Sequence, residues 1–132
     1  IWSAEFTQGY TPGMTGMDRW IDWEKEEFIG QAAAIKERDG NGPAQKLVML
    51  EIDADDADAS GYEPVWNNDS LVGFVTSGGY GHTLKKSLAM ALVNNDLANE
   101  NQKLKVHVVG VEKDATVIQA SPYDPEGKVM RV

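Results

Sequence analysis

Gly73-Phe-Val-Thr-Ser-Gly-Gly-Tyr-Gly-His82-Thr-Leu-Lys-Lys-Ser-Leu-Ala-Met-Ala-Leu-Val93 is the stretch on which the fold turns. Its start continues an apolar run over Ser70–Ser77 that reads as a strand. Its middle, Gly78-Gly79-Tyr80-Gly81, reads as a tight connection, because glycine supplies the positive φ angles that such turns demand. Its end reads two ways. Leu84, Leu88, Ala91 and Leu92 recur at helical spacing, whereas Leu84, Leu88, Met90 and Leu92 fall on one face of a strand. Periodicity leaves both open.

The neighbouring segments favour strands. Lys46–Asp53 is apolar on both faces, the pattern of a strand that is central or covered on both sides. Glu63–Asn67 is a short strand, followed by a turn at Asn67-Asn68-Asp69. Lys103–Val111 alternates, with Leu104, Val106 and Val108 inward and Lys105 and His107 outward. A turn is predicted at Glu112-Lys113-Asp114 and a returning strand over Ala115–Ala120. A tail over Ser121–Val132 closes the chain. Short strands joined by turns from residue 46 onward predict a small barrel or a sandwich.

The first part of the chain differs. Residues 1–24 are rich in aromatics (Trp2, Phe6, Tyr10, Trp20 and Trp23), with a short strand predicted at Trp20–Trp23. Lys25–Asp39 is the one helix candidate. Glu26 and Glu27 suit the positive end of its dipole, and Lys36 and Arg38 suit the negative end. Phe28, Ala32 and Ile35 make an apolar stripe, and Gly40 stops it.

Composition narrows the function. The chain has 132 residues, enough for one domain with a modest core. Its formal net charge of -9 disfavours nucleic acid, which needs a cationic face, and anionic membrane surfaces equally. Cysteine is absent, so disulfides and thiolate metal sites are excluded. A cytoplasmic location is the expectation. The opening Ile-Trp-Ser-Ala-Glu-Phe reads as the middle of a longer protein.

Candidate sites are few. Asp56-x-Asp58-x-Ser60-Gly61 matches the first half of a calcium loop, but position twelve is Asn67 rather than glutamate, so a solvated acidic loop is the better reading. Ser77 and His82 lie close in sequence without a third group to orient a base. The glycine cluster, with Lys85 and Lys86 after it, suits an anion cradle, although hairpin glycines are the commoner explanation.

Together these residues resemble a family. Val72–Val93 is similar to the C-terminal signature of the glycine-cleavage T-protein family, an "IG-x-VTSG … K-S-I-A-M" pattern. The Tyr80-Gly-His82 variant looks most like the dimethylglycine and sarcosine dehydrogenase branch. Tyr10-Thr-Pro12 with Gly16 and Arg19-Trp20, then Phe28-Ile-Gly30, then Ser121-Pro-Tyr-Asp-Pro125 resemble further family segments in the same order.

The resemblance implies a mainly β chain with one N-terminal helix. Residues 46–132 would form a small antiparallel Greek-key β-barrel with an extended tail, and Leu84–Val93 would be one of its strands. Residues 1–45 would be the tail of a preceding folate-binding domain. Tetrahydrofolate is the implied cofactor, and FAD is implied for a dehydrogenase-type domain upstream. Arg19, Trp20, Tyr80 and His82 are the implied folate-facing residues. The family's acidic residue after Thr-Pro is replaced here by Met14 or Thr15, and Asp18 stands where glycine is common.

The expected function is therefore the C-terminal part of a folate-dependent aminomethyltransferase or a dimethylglycine/sarcosine dehydrogenase-like enzyme. Its partners would be the remainder of its own polypeptide and folate, with no nucleic acid and no membrane. The isolated chain is expected to be inactive, since no catalytic residue is nominated. The rival expectation is a noncatalytic module that joins domains or subunits.

Overall fold

The computed structural model describes residues 1–131, and the last residue of the predicted tail, Val132, lies outside the described residues. Six strands close into a barrel: β1 (Gln45–Ile52), β2 (Pro64–Asn67), β3 (Ser70–Gly81), β4 (Lys86–Asn94), β5 (Lys103–Val108) and β6 (Val111–Ile118). Their order around the barrel is β1-β4-β3-β2-β5-β6, and every pairing is antiparallel. β1 lies beside β4 rather than beside β2, which is the Greek-key arrangement.

The barrel interior follows the alternation of its strands. Val48, Leu50 and Ile52 of β1 meet Val106 and Val108 of β5, Val117 of β6 and Val65 of β2 in one buried cluster. β4 contributes Ala89, Ala91 and Val93 to this interior. Small side chains there suit a narrow barrel, in which inward positions from all strands compete for one axis.

The strand assignment of residues 84–93 is correct in kind, and the helical stripe is not realised. β4 is apolar on both faces, which is why period alone left it open. Leu88, Met90 and Leu92 alternate with the inward alanines and point out of the barrel, yet Leu92 is 0% exposed. Its register partners, Leu47 of β1 and Phe74 of β3, also lie on the outer side. That face is covered by the N-terminal layer, where α1 (Trp2–Glu5) packs on β3 and α2 (Pro12–Thr15) on β1. β1 is thus covered on both sides, as its apolar pattern required.

Three local expectations change. Gly78, Gly79 and Gly81 do not form the turn; they are extended residues of β3, and the connection is His82–Lys85, closed by Lys85 N–H donating to the Gly81 carbonyl at 2.7 Å. The positive φ there falls on Lys85, at 56°. The glycines serve close approach instead: a Cβ on Gly73 would land on the Leu92 carbonyl, and one on Gly78 would come within 2.5 Å of the Ala59 carbonyl. Secondly, Glu112-Lys113-Asp114 is part of β6, and the hairpin turns at Val109-Gly110, with φ of 49° and 77°. Two consecutive positive φ values match the twist of a two-residue hairpin, and a β-branched valine in the first position hides the signal. Thirdly, Trp20–Trp23 is not a strand; a single 3₁₀ turn spans Asp18–Trp20.

The helix is shorter than predicted. α3 runs Gln31–Asp39, because Gly30 holds φ at 88° and ends the preceding turn. Glu26, Glu27 and Phe28 therefore lie outside it, while Lys36 and Arg38 occupy its last turn and Gly40 follows it. A β-bulge between Val75 and Ser77 bends β3 and buries Thr76, whose hydroxyl donates to the Met90 carbonyl at 3.1 Å.

Candidate functional site

The four predicted ligand-facing residues form two pairs. The Arg19 guanidinium lies 5.4 Å from the centroid of the Trp20 indole, and Trp20 is 73% exposed. The 3₁₀ turn after α2 places them at the surface of the N-terminal layer. Tyr80, near the end of β3, meets His82 of the following turn edge to face, with ring centroids 5.1 Å apart. Tyr80 also lines a cleft at the barrel mouth, which neither Arg19 nor Trp20 reaches.

Ser77 is not paired with His82. Its hydroxyl donates to Glu5 Oε1 at 2.5 Å, joining α1 to the bulged strand. Glu5 is 1% exposed. Burial by itself would raise the Glu5 pKa. The hydrogen bond from Ser77 acts in the opposite direction. Sequence reasoning missed Glu5, because its partner Ser77 lies 72 residues away along the chain. The Ser77–His82 pair does not form, since the Ser77 hydroxyl donates to Glu5 instead.

The glycine cluster is no anion cradle. Gly78, Gly79 and Gly81 are paired in register with Ala89, Leu88 and Lys86 of β4, so their backbone belongs to the sheet. Lys86 bridges to Glu51 at 2.5 Å. On the outer side of the barrel, the Trp66 and His107 rings stack at 5.5 Å, and Trp66 Nε1 is buried without a hydrogen-bond partner among the described residues.

The acidic loop is held by local hydrogen bonds and an ion pair. Glu63 accepts from the Ser60 and Gly61 backbone N–H groups, each at 2.8 Å, and Asp56 pairs with Lys113 at 3.0 Å. Among the described residues no group of three or more histidines, aspartates or glutamates is placed to hold a metal ion. Burial tends to raise the Glu63 pKa, but the Ser60 and Gly61 hydrogen bonds prevail and lower it below 4.5.

A carboxyl with a lowered folded-state pKa adds stability above its unfolded value. That stability is lost as pH falls through the folded pKa. Unfolding midpoints in urea should therefore drop as pH falls below 4.5. Glu63→Gln should shrink that drop while the neutral-pH midpoint falls slightly. An identical acid profile in the variant would show that Glu63 is not responsible.

The barrel mouth carries a cleft of about 930 Å³. Register pairs Tyr80 with Ser87, Ser87 with Ile52, Ile52 with Ala115 and Ala115 with Leu104, tracing one rim. The acidic loop that follows β1 borders this rim.

Comparison with known proteins matches residues 45–124 to the glycine cleavage T-protein C-terminal barrel domain. A mitochondrial dimethylglycine dehydrogenase of Rattus norvegicus is 33% identical over 118 residues, which cover 89% of this chain and 14% of that protein. An aminomethyltransferase of Thermosynechococcus vestitus is 32% identical over 108 residues, covering 82% of this chain and 29% of that protein. The crystal structure of the glycine cleavage system aminomethyltransferase T from Bartonella henselae superposes with a TM-score of 0.80 at 22% identity, over 89% of this chain and 33% of that one. The last likeness concerns the fold. The chain thus spans a minor part of the relatives it matches.

Proposed function

Because the chain belongs to the glycine cleavage T-protein C-terminal barrel domain family, we propose that it is the barrel end of a larger folate-dependent one-carbon enzyme, and that its N-terminal layer helps wall the tetrahydrofolate site. The whole protein would be an aminomethyltransferase or a dimethylglycine/sarcosine dehydrogenase-like enzyme. The Tyr80-Gly-His82 sequence and the 33% identity to a dimethylglycine dehydrogenase support the second branch.

The observation that carries the reading is the Arg19–Trp20 pair. A pterin is flat and aromatic, and its glutamate tail is anionic. An indole that is 73% exposed offers a stacking face, and the adjacent guanidinium offers a fork for a carboxylate. These residues fit the group. When bound, tetrahydrofolate supplies the acceptor for a one-carbon unit. The chain's part is to bind and orient it. Tyr80 and His82 have an accessible edge-to-face geometry but sit apart from that pair, so their contribution would come through the barrel mouth. FAD belongs, in this proposal, to a preceding domain, and no described residue is assigned to it.

Titration of the whole polypeptide with tetrahydrofolate tests the proposal. Arg19→Ala and Trp20→Ala should each weaken binding roughly 2- to 30-fold, the range of a cation or stacking contact at a partly desolvated site. Unchanged affinity in both variants would favour the noncatalytic interdomain module. The exposed apolar side chains of Ile1, Trp2 and Ile29 support that second reading, since such patches mark interfaces. The isolated 132 residues should show no turnover under either reading.

A further inference from the structure

The cleft at the barrel mouth has an unusual charge balance. Its lining holds six carboxylates and three lysines. Two of the lysines are already engaged, Lys86 by Glu51 and Lys103 by the Thr116 hydroxyl at 2.8 Å. Asp56 is engaged by Lys113. Asp53, Asp55 and Asp58, spread along the loop at the rim, have no side-chain ion pair among the described residues.

A second, independent observation points into the same cleft. Ser87 is an inward residue of β4, 3% exposed, and lines the cleft, yet its hydroxyl has no hydrogen-bond partner among the described residues. A buried hydroxyl without a partner is unfavourable, so a ligand group that meets it is favoured. An apolar residue of the same size would have served the interior better.

The ligand chemistry follows from the spacing. A single metal ion needs several carboxylates converging on one point, and no such group of three exists among the described residues. Separated carboxylates around a cleft of about 930 Å³ instead suit separated positive charges on an extended chain. Ammonium groups have N–H donors for both the carboxylates and the Ser87 oxygen. The methylenes between them tolerate Ala54 and Ala57, which lie among the aspartates.

We propose that the mouth of the barrel, between the Asp53–Asp58 loop and Ser87, is a binding site for a linear polyamine. The site uses neither Arg19 nor Trp20, the pair that carries the folate reading, and shares only Tyr80 with it. Calorimetric titration of the whole polypeptide with spermidine, at an ionic strength near 0.15 M, where long-range attraction is damped beyond about 8 Å, tests it. Saturable one-to-one binding is expected. Ser87→Ala should weaken it about tenfold, as loss of a hydrogen bond to a charged group does. The triple variant Asp53→Asn, Asp55→Asn, Asp58→Asn should abolish it. The variant Glu24→Gln, Glu26→Gln, Glu27→Gln removes the same charge elsewhere and should leave binding intact.

Thermal melts accompany the titrations, because Ser87→Ala removes an unpartnered hydroxyl and should fold at least as well. Absence of saturable heat at millimolar spermidine would overturn the proposal. So would equal displacement by magnesium at matched ionic strength, or equal weakening by the two triple variants. An affinity unchanged in Ser87→Ala would overturn it as well, leaving only a screened acidic surface.

Discussion

Gly73→Ala is expected to destabilise the barrel by about 3 kcal/mol or more, while Gly79→Ala, six residues along the same strand, should be neutral or stabilising by up to about 1 kcal/mol. The two glycines look alike in the sequence and neither has a positive φ, so conformational freedom does not separate them. The partner strand does. A Cβ on Gly73 would overlap the Leu92 carbonyl and come within 2.9 Å of the Val93 Cα. Both obstacles are backbone, which a rotamer change cannot move. Relief requires β3 and β4 to separate along a pairing that runs from Gly73↔Val93 to Gly81↔Lys86. A Cβ on Gly79 meets no described atom within 4 Å. Urea unfolding of both variants gives the comparison directly. A Gly73→Ala midpoint matching that of Gly79→Ala would mean that the two strands do not approach as closely as described.

The same strand shows where sequence stops informing structure. The alternation of β5 and the double-faced pattern of β1 were legible, because the burial they require is written in residues two apart. β4 was not legible on its own terms. Ala89, Ala91 and Val93 face the interior while Leu92 is buried beneath another layer, and burial of both faces erases the period that distinguishes strand from helix. Only the likeness of Val72–Val93 to a family signature read it as a strand. The β3 glycines read as a turn because a turn is the commonest local reason for glycine. The real reason lies with the Leu92 and Ala59 carbonyls, which are distant in sequence.

The candidate site divides in the same way. Arg19, Trp20, Tyr80 and His82 were legible as residue types that suit a flat, anionic ligand. Their separation into an exposed cation–indole pair and a Tyr80–His82 pair, of which Tyr80 lines the barrel mouth, depends on how the N-terminal layer sits on the sheet. Glu5 and Ser87 carried no signal at all. A glutamate in an aromatic segment and a serine in an apolar strand become informative only once burial has been set against their hydrogen-bond partners.

Leu50→Ala and Leu92→Ala should each destabilise the protein by about 2–5 kcal/mol, the range for a fully buried leucine, but through different contacts. Leu50 is an interior residue of β1, packed in the cluster that all six strands share. Its truncation leaves a cavity on the barrel axis and weakens every strand together. Leu92 faces outward from β4, between Leu47 and Phe74, and the flanking strands β1 and β3 carry α2 and α1. Its truncation should loosen the N-terminal layer on this face of the sheet. Native-state hydrogen exchange separates the two. Leu50→Ala should lower protection across β5 and β6 as well as β1. Leu92→Ala should lower it first in α3 and the segment before it, with β5 and β6 retaining more of theirs. Because Arg19 and Trp20 ride on that layer, Leu92→Ala should also weaken tetrahydrofolate binding without touching the ligand. Leu50→Ala should do so only in proportion to unfolding. Full protection of the N-terminal layer in Leu92→Ala, with affinity unchanged, would show that the layer is held by its polar ties alone, such as Ser77 to Glu5 and Thr11 to Glu37.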